Sequence, residues 1–169
     1  FITNTDHAPK KKLFSGTSKR GRIIIVAIGV IVLITITLVA STLLSAGSNA
    51  AKAELIKTAQ SQTEIMRISK LGVDRAKNTA AKNLATTTYL SLQSDQSELV
   101  AALGKQGLKL SAKELALGKN AKTDTLLTNA EQSNKFDEVF IKTIQTELTQ
   151  YQKTVKAAYD KVSGKTLKA

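Results

Sequence analysis

Between Arg22 and Lys52 no side chain carries a charge. The 24 residues Ile23–Ala46 within that interval are apolar but for a few hydroxyls, such as Thr35, Thr37, Ser41 and Thr42. As a helix the run is about 36 Å long, against a bilayer hydrocarbon core of about 30 Å. Inside lipid every backbone amide must bond within its own segment, and a hydroxyl can bond the carbonyl one turn back. The run therefore predicts a single transmembrane helix over residues 23–46. A buried helix of a soluble domain rarely stays apolar on all faces for so long. A cleaved secretory signal has an apolar part of only about 7–15 residues. The triplet Ala51-Lys52-Ala53 fits a small-x-small cleavage site, but the run before it is too long.

Flanking charge sets the orientation. Lys10, Lys11, Lys12, Lys19, Arg20 and Arg22 precede the run with Asp6 as the only acid, while Gly47, Ser48 and Asn49 follow it uncharged. Basic flanks stay on the cytoplasmic side. Residues 1–22 are expected to form a disordered cytoplasmic tail held against anionic headgroups, and residues 47–169 an extracytoplasmic domain. The chain reads as a single-pass cell-membrane protein.

The outer part is one domain at most by length. Residues 48–169 hold 19 basic and 12 acidic side chains, a net of +7, with no Trp or Cys. Few aromatics and much Ala, Thr, Lys and Gln suit elongated helices packed through narrow stripes better than a thick globular core. The expected fold class is all-α: the transmembrane helix, then an elongated antiparallel helical hairpin or bundle, a coiled-coil-like stalk.

Helical periodicity marks the elements. A heptad seam runs through Leu55, Ala59, Gln62, Met66, Ser69, Val73, Ala76, Ala80, Asn83, Thr87 and Leu90. It predicts one long helix over 49–93, packed through Leu55, Met66, Val73 and Leu90, with a bend or break plausible at Gly72. A richer stripe, Phe136, Phe140, Ile144, Leu148, Tyr151, Val155, Tyr159 and Val162, predicts a second long helix over 123–163. Thr123 or Asp124 would cap it and Gly164 would end it. The interval 94–122 reads as short helices and turns. Ser94 or Asp95 would cap the first, and Ser111 with Glu114 forms a capping box for the second. Two long antiparallel helices would place 94–122 at a distal tip, roughly 60–70 Å from the bilayer. Lys105, Lys109, Lys113, Lys119 and Lys122 would make that tip a basic, partner-facing surface.

Sequence motifs for catalysis are missing. The lone His7 lies in the tail, no Cys-His, Ser-His-Asp or HExxH set occurs, and the adjacent acids Asp137 and Glu138 fall on an apparently solvated helix face. Ligands for a metal site or a phosphate loop are lacking, so no cofactor is expected. The basic charge is mostly dispersed lysine, which suits anionic surfaces rather than base readout. The sequence thus points to a non-enzymatic, membrane-anchored interaction or structural subunit. It would pack with copies of itself, as a homo-oligomer, or with a larger membrane or envelope complex. An extracytoplasmic helical-bundle sensor or ligand-binding module is the alternative. A divergent pilin-like filament subunit is a further one, for which Phe1 speaks and Thr5, where a glutamate is usual, does not.

Overall fold

The computed structural model describes residues 49–166, except for the side chains of 50, 51 and 162–166. The tail residues Lys10, Lys11, Lys12, Lys19, Arg20 and Arg22, the apolar run 23–46 and the side chain of Val162 lie outside the described residues. Every regular element described is helical, as the periodicity predicts. The elements are α1 (Asn49–Arg75), α2 (Thr79–Lys105), the single turn α3 (Ala112–Leu115) with a 3-10 turn (Ala116–Gly118), α4 (Ala121–Gln132) and α5 (Phe136–Thr166). Among the described residues no helix is long and apolar enough to cross a membrane.

The helix expected over 49–93 is two helices. After Arg75 the backbone leaves the helix, and Asn78 caps α2 with its side chain accepting from the Ala80 N–H at 2.7 Å. The chain reverses there, so α2 runs back along α1. The short helix expected to start at Ser94 or Asp95 does not exist as such, because both lie inside α2. Gly72 does not break α1. A methyl group there would stand 2.2 Å from Cζ of Phe140, so the missing side chain makes room for that ring.

The second long helix is also two. α4 begins at Asn120, whose side chain accepts from the Lys122 N–H at 3.1 Å, and Thr123 and Asp124 lie inside it. α4 ends in a left-handed Asn134 (φ 54°). Lys135 N–H bonds Ala130 O at 2.8 Å and Asn134 N–H bonds Glu131 O at 3.0 Å, the paired reverse bonds of a helix C-cap. The same device ends α2 with Gly107 (φ 80°), where Leu108 N–H reaches Leu103 O. α5 then continues through Gly164 to Thr166.

α1 is the central helix. α2 and α5 pack along it and touch each other little, and α4 lies against α5. Because α1 is covered from two sides, its buried face is wide. It includes Ile65 and Ile68 as well as Leu55 and Ala59. Met66 and Val73, on the expected seam, are only partly covered. Leu90 is 57% exposed and Tyr159 40% exposed, which corrects both as packing positions. The reason for Leu90 is a change of phase. The turn at 76–78 resets the helical angle, and α2 buries Ala81, Leu84, Ala85, Thr88, Leu92, Asp95, Leu99 and Leu103 instead. Phe136, Phe140, Ile144, Leu148, Tyr151 and Val155 of α5 are buried as their stripe predicts. Each such large apolar side chain contributes about 1.5–3 kcal/mol of transfer free energy.

Both helix turns, 76–78 and 133–135, come together at one end. The Asp137 carboxylate accepts from the backbone N–H groups of Lys77 (3.0 Å) and Asn78 (2.9 Å), and Lys77 Nζ reaches Asn134 Oδ1 at 3.3 Å. The other end holds the first turns of α1, the last turns of α2 and the later part of α5, joined by the cluster Leu55, Ala59, Leu99, Leu103 and Ala158. The 27-residue α1 and α2 make the body about 40 Å tall.

Candidate functional site

Of the interval 94–122, expected at a distal tip, residues 94–104 lie in α2, and 105–122 are instead a strap. Leu108, Leu110 and Leu115 pack on the Leu55 cluster, at the end where α1 begins. The chain then climbs α1 to mid-height. Gln60 Nε2 donates to Glu114 O at 3.0 Å, and Asn120 N–H donates to Glu64 Oε1 at 3.2 Å. At Gly118 the strap presses on α1 so closely that a Cβ would stand 2.8 Å from Gln60 O. The capping box forms as its sequence predicts, with Ser111 N–H to Glu114 Oε2 at 2.7 Å and Glu114 N–H to Ser111 Oγ at 3.3 Å. Bonds from the Ser111 hydroxyl and amide hold the Glu114 carboxyl below its usual range.

All five strap lysines, Lys105, Lys109, Lys113, Lys119 and Lys122, are exposed, but they form no single patch. Lys105 and Lys109 stay at the α1-entry end, Lys113 starts the climb, and Lys119 and Lys122 flank the start of α4. Lys119 is engaged with Asp124 at 3.2 Å.

The strap meets α1 at a polar clamp. Glu64, only 4% exposed, takes both Nε and Nη2 of Arg67 at 2.8 Å. Arg67 Nη1 also bonds Asp124 of α4. The Glu64 bond, working against burial and helped by Asp124, keeps Arg67 protonated well beyond its ordinary range. Burial would raise Asp124, but the bonds from Arg67 and Lys119 outweigh it and hold that carboxyl low. Glu147 on α5 is pushed up by burial and by the Glu64 charge, partly offset by Arg67. A two-nitrogen fork onto one carboxylate fixes orientation as well as charge. The fork lies within α1, and the bonds from Arg67 to Asp124 and from Asn120 N–H to Glu64 fix α1, the strap and α4 in one register. Only the i,i+3 spacing of Glu64 and Arg67 signals this clamp in the sequence, because Asp124 lies 57 residues on.

Other buried polar groups sit between helices. Gln62 Nε2 donates to Tyr151 Oη at 2.8 Å, tying α1 to α5. Gln96 Nε2 donates to Ala59 O at 2.8 Å and Thr63 Oγ1 at 2.7 Å, tying α2 to α1. Asp95 is 6% exposed and its Oδ2 has no hydrogen-bond partner. Burial, with the nearby Glu98 charge, raises its pKa to about 6. Among the described residues no three His, Cys, Asp or Glu side chains converge as a metal site. The outer face of α5 carries a shallow open groove lined by Lys142, Gln145, Thr149 and Lys153, all polar and on one helix.

The clamp carboxylates Glu64 and Asp124 accept from charged side chains, and Glu114 and Asp137 accept from backbone N–H groups, so these four are held as acceptors. The exposed charge is mostly lysine, with Asp74, Glu98 and Glu138 as exposed carboxylates outside these bonds. No family model matches the chain, and no curated protein or solved structure matches it.

Proposed function

We propose that this chain is a membrane-anchored helical module that works by interaction or assembly at the extracytoplasmic face. The observation that carries the reading is the charge-free run 23–46 behind six basic residues, which leads within three positions into α1. A span needs about 20 apolar residues, and basic flanks are retained inside. The helical body supports an interaction role through its surface. Several of its acids are bonded, as in Glu64–Arg67, Arg75–Glu131 and Lys156–Asp160, while many lysines stay unpaired.

Assembly with copies or with a larger envelope complex rests on that surface, not on a thin seam. The body closes a core of its own, and its exposed large apolar residues, Leu90, Leu117, Leu126 and Tyr159, are spread over four elements. The test is membrane retention. The full chain should remain in the membrane fraction after high-salt and alkaline washing, and protease added to intact cells should remove the helical body and spare the tail. Release of a form beginning near Lys52 would replace the anchor with a cleaved signal.

A further inference from the structure

Four lysines rim the end of the body where the chain enters. Leu55, Ala59, Leu99, Leu103 and Ala158 are buried together there, and Leu108 packs on them. Lys52 precedes Leu55 by one helical turn, Lys105 follows Leu103 by two residues, Lys109 adjoins Leu108, and Lys161 follows Ala158 by one turn. Three chain segments thus bring these cations to one rim. Lys105, Lys109 and Lys161 are exposed and Lys52 half-buried. The neighbouring acids are engaged elsewhere. Glu54 holds Lys57 at 2.9 Å, Asp160 holds Lys156 at 2.8 Å, and Glu114 is in its capping box. Glu98 stands about 10 Å back along α2 from Lys105.

We infer that this rim is a docking surface for an anionic bilayer, the same bilayer that the 23–46 run would enter. The inference rests on the anchoring reading above. From Ala46 to Asn49 is three Cα steps, at most about 11 Å. That is comparable with the screening length of about 8 Å at physiological salt, so the rim cannot be carried far beyond the reach of the headgroups. Basic clusters beside a membrane segment are drawn to anionic lipid. The closed end, with the turns at 76–78 and 133–135, lies about 40 Å away and is too distant to take part. Rim contact would stand the body upright on the surface.

The test uses the full chain, which contains no cysteine. A fluorophore is placed through Ala112→Cys, beside the rim, or through Asn83→Cys, near the closed end. The chain is reconstituted in neutral phosphatidylcholine vesicles or in vesicles containing phosphatidylglycerol, each with headgroup-linked quencher. Quenching at position 112 should rise by about twofold or more in the anionic vesicles, and the rise should vanish in high salt. K105E/K109E/K161E should abolish the rise while leaving helical circular dichroism unchanged, whereas K77E/K82E/K135E at the closed end should retain it. Position 83 should not respond. Equal quenching at 112 in both lipids, or equal loss from the closed-end variant, would overturn the docking surface alone. A chain that fails to float with neutral vesicles after alkaline washing would overturn the anchoring reading and the docking surface with it.

Discussion

The two ends of the helical body are closed by different physics. At one end the turns 76–78 and 133–135 are held by directed bonds, with Asp137 accepting two backbone N–H groups and Phe140 seated on Gly72. At the other, leucines from α1, α2 and the strap collapse together with lysines around them, and the cross-element bonds there, Gln96 to Ala59 O and Gln60 to Glu114 O, come from glutamine side chains at the edge of that cluster. Directed bonds fix the register of one hairpin on the other. Apolar collapse only fills space, and it leaves the rim free to carry charge. Register is thus set by Asp137 far from the chain entry and by the Glu64–Arg67–Asp124 clamp at mid-height, and surface character by the lysines near the entry.

The strongest way to break the comparison is to empty the closed end. Phe140→Ala removes a fully buried ring that also stacks on Phe136 at 5.9 Å. It should cost about 3–5 kcal/mol in denaturant unfolding. Overfilling the same contact is the next test. Gly72→Ala adds a methyl 2.2 Å from Phe140 Cζ. Overpacking costs about 1–3 kcal/mol against about 1 kcal/mol gained in helix propensity, so a net loss of up to about 2 kcal/mol is expected. A net gain would mean that the ring moves aside freely.

Asp137→Ala leaves the Lys77 and Asn78 N–H groups without their acceptor and should cost about 1–2 kcal/mol. Hydrogen exchange should speed up most at residues 76–80 and little at 105–110. A uniform effect over both ends would dissolve the distinction drawn between them.

The smallest expected effect is at Asp95, in the half of α2 nearer the open end, whose Oδ2 finds no partner. Its pKa is raised from 3.8 to about 6, so between those values the folded chain binds the proton more strongly than the unfolded one. This carboxyl therefore contributes stability in acid that is lost as pH rises through about 6. Asp95→Asn should be more stable than the parent by about 1 kcal/mol at pH 7, allowing for partial solvent screening. The gap should close below pH 4, which paired thermal melts at the two pH values would read.

The stripe on α5 was legible because its large side chains repeat without a gap through one unbroken helix. The seam from Leu55 was legible only as far as Ala76. Beyond it the seam continued smoothly in sequence through Leu90, while the chain had already reversed at Asn78. A seam of small and polar residues matches more than one helical phase, so it could not register the reset. Ser133 and Asn134 carried a readable stop, since Asn tolerates the left-handed C-cap position, but the apolar spacing across them suggested continuity. Asp137 looked solvated because its acceptor role depends on a turn 59–60 residues earlier. Two unbroken helices would put the strap lysines at a distal tip. Once each breaks, that interval must return to the chain-entry end.

The central place of α1 has a consequence for synthesis. α1 is the first described helix to leave the ribosome, yet one side of it waits for α5. At about 5–20 residues per second, the 76 residues from Arg75 to Tyr151 take roughly 4–15 s to appear. Until α5 appears, α1 can pair only with α2, the strap and α4, and the flank bearing Gln62 and Gly72 lacks Tyr151 and Phe140 to cover it. That flank of α1 is the last to be covered as the chain emerges, and it is where a chaperone or a translocation factor would find the most to hold.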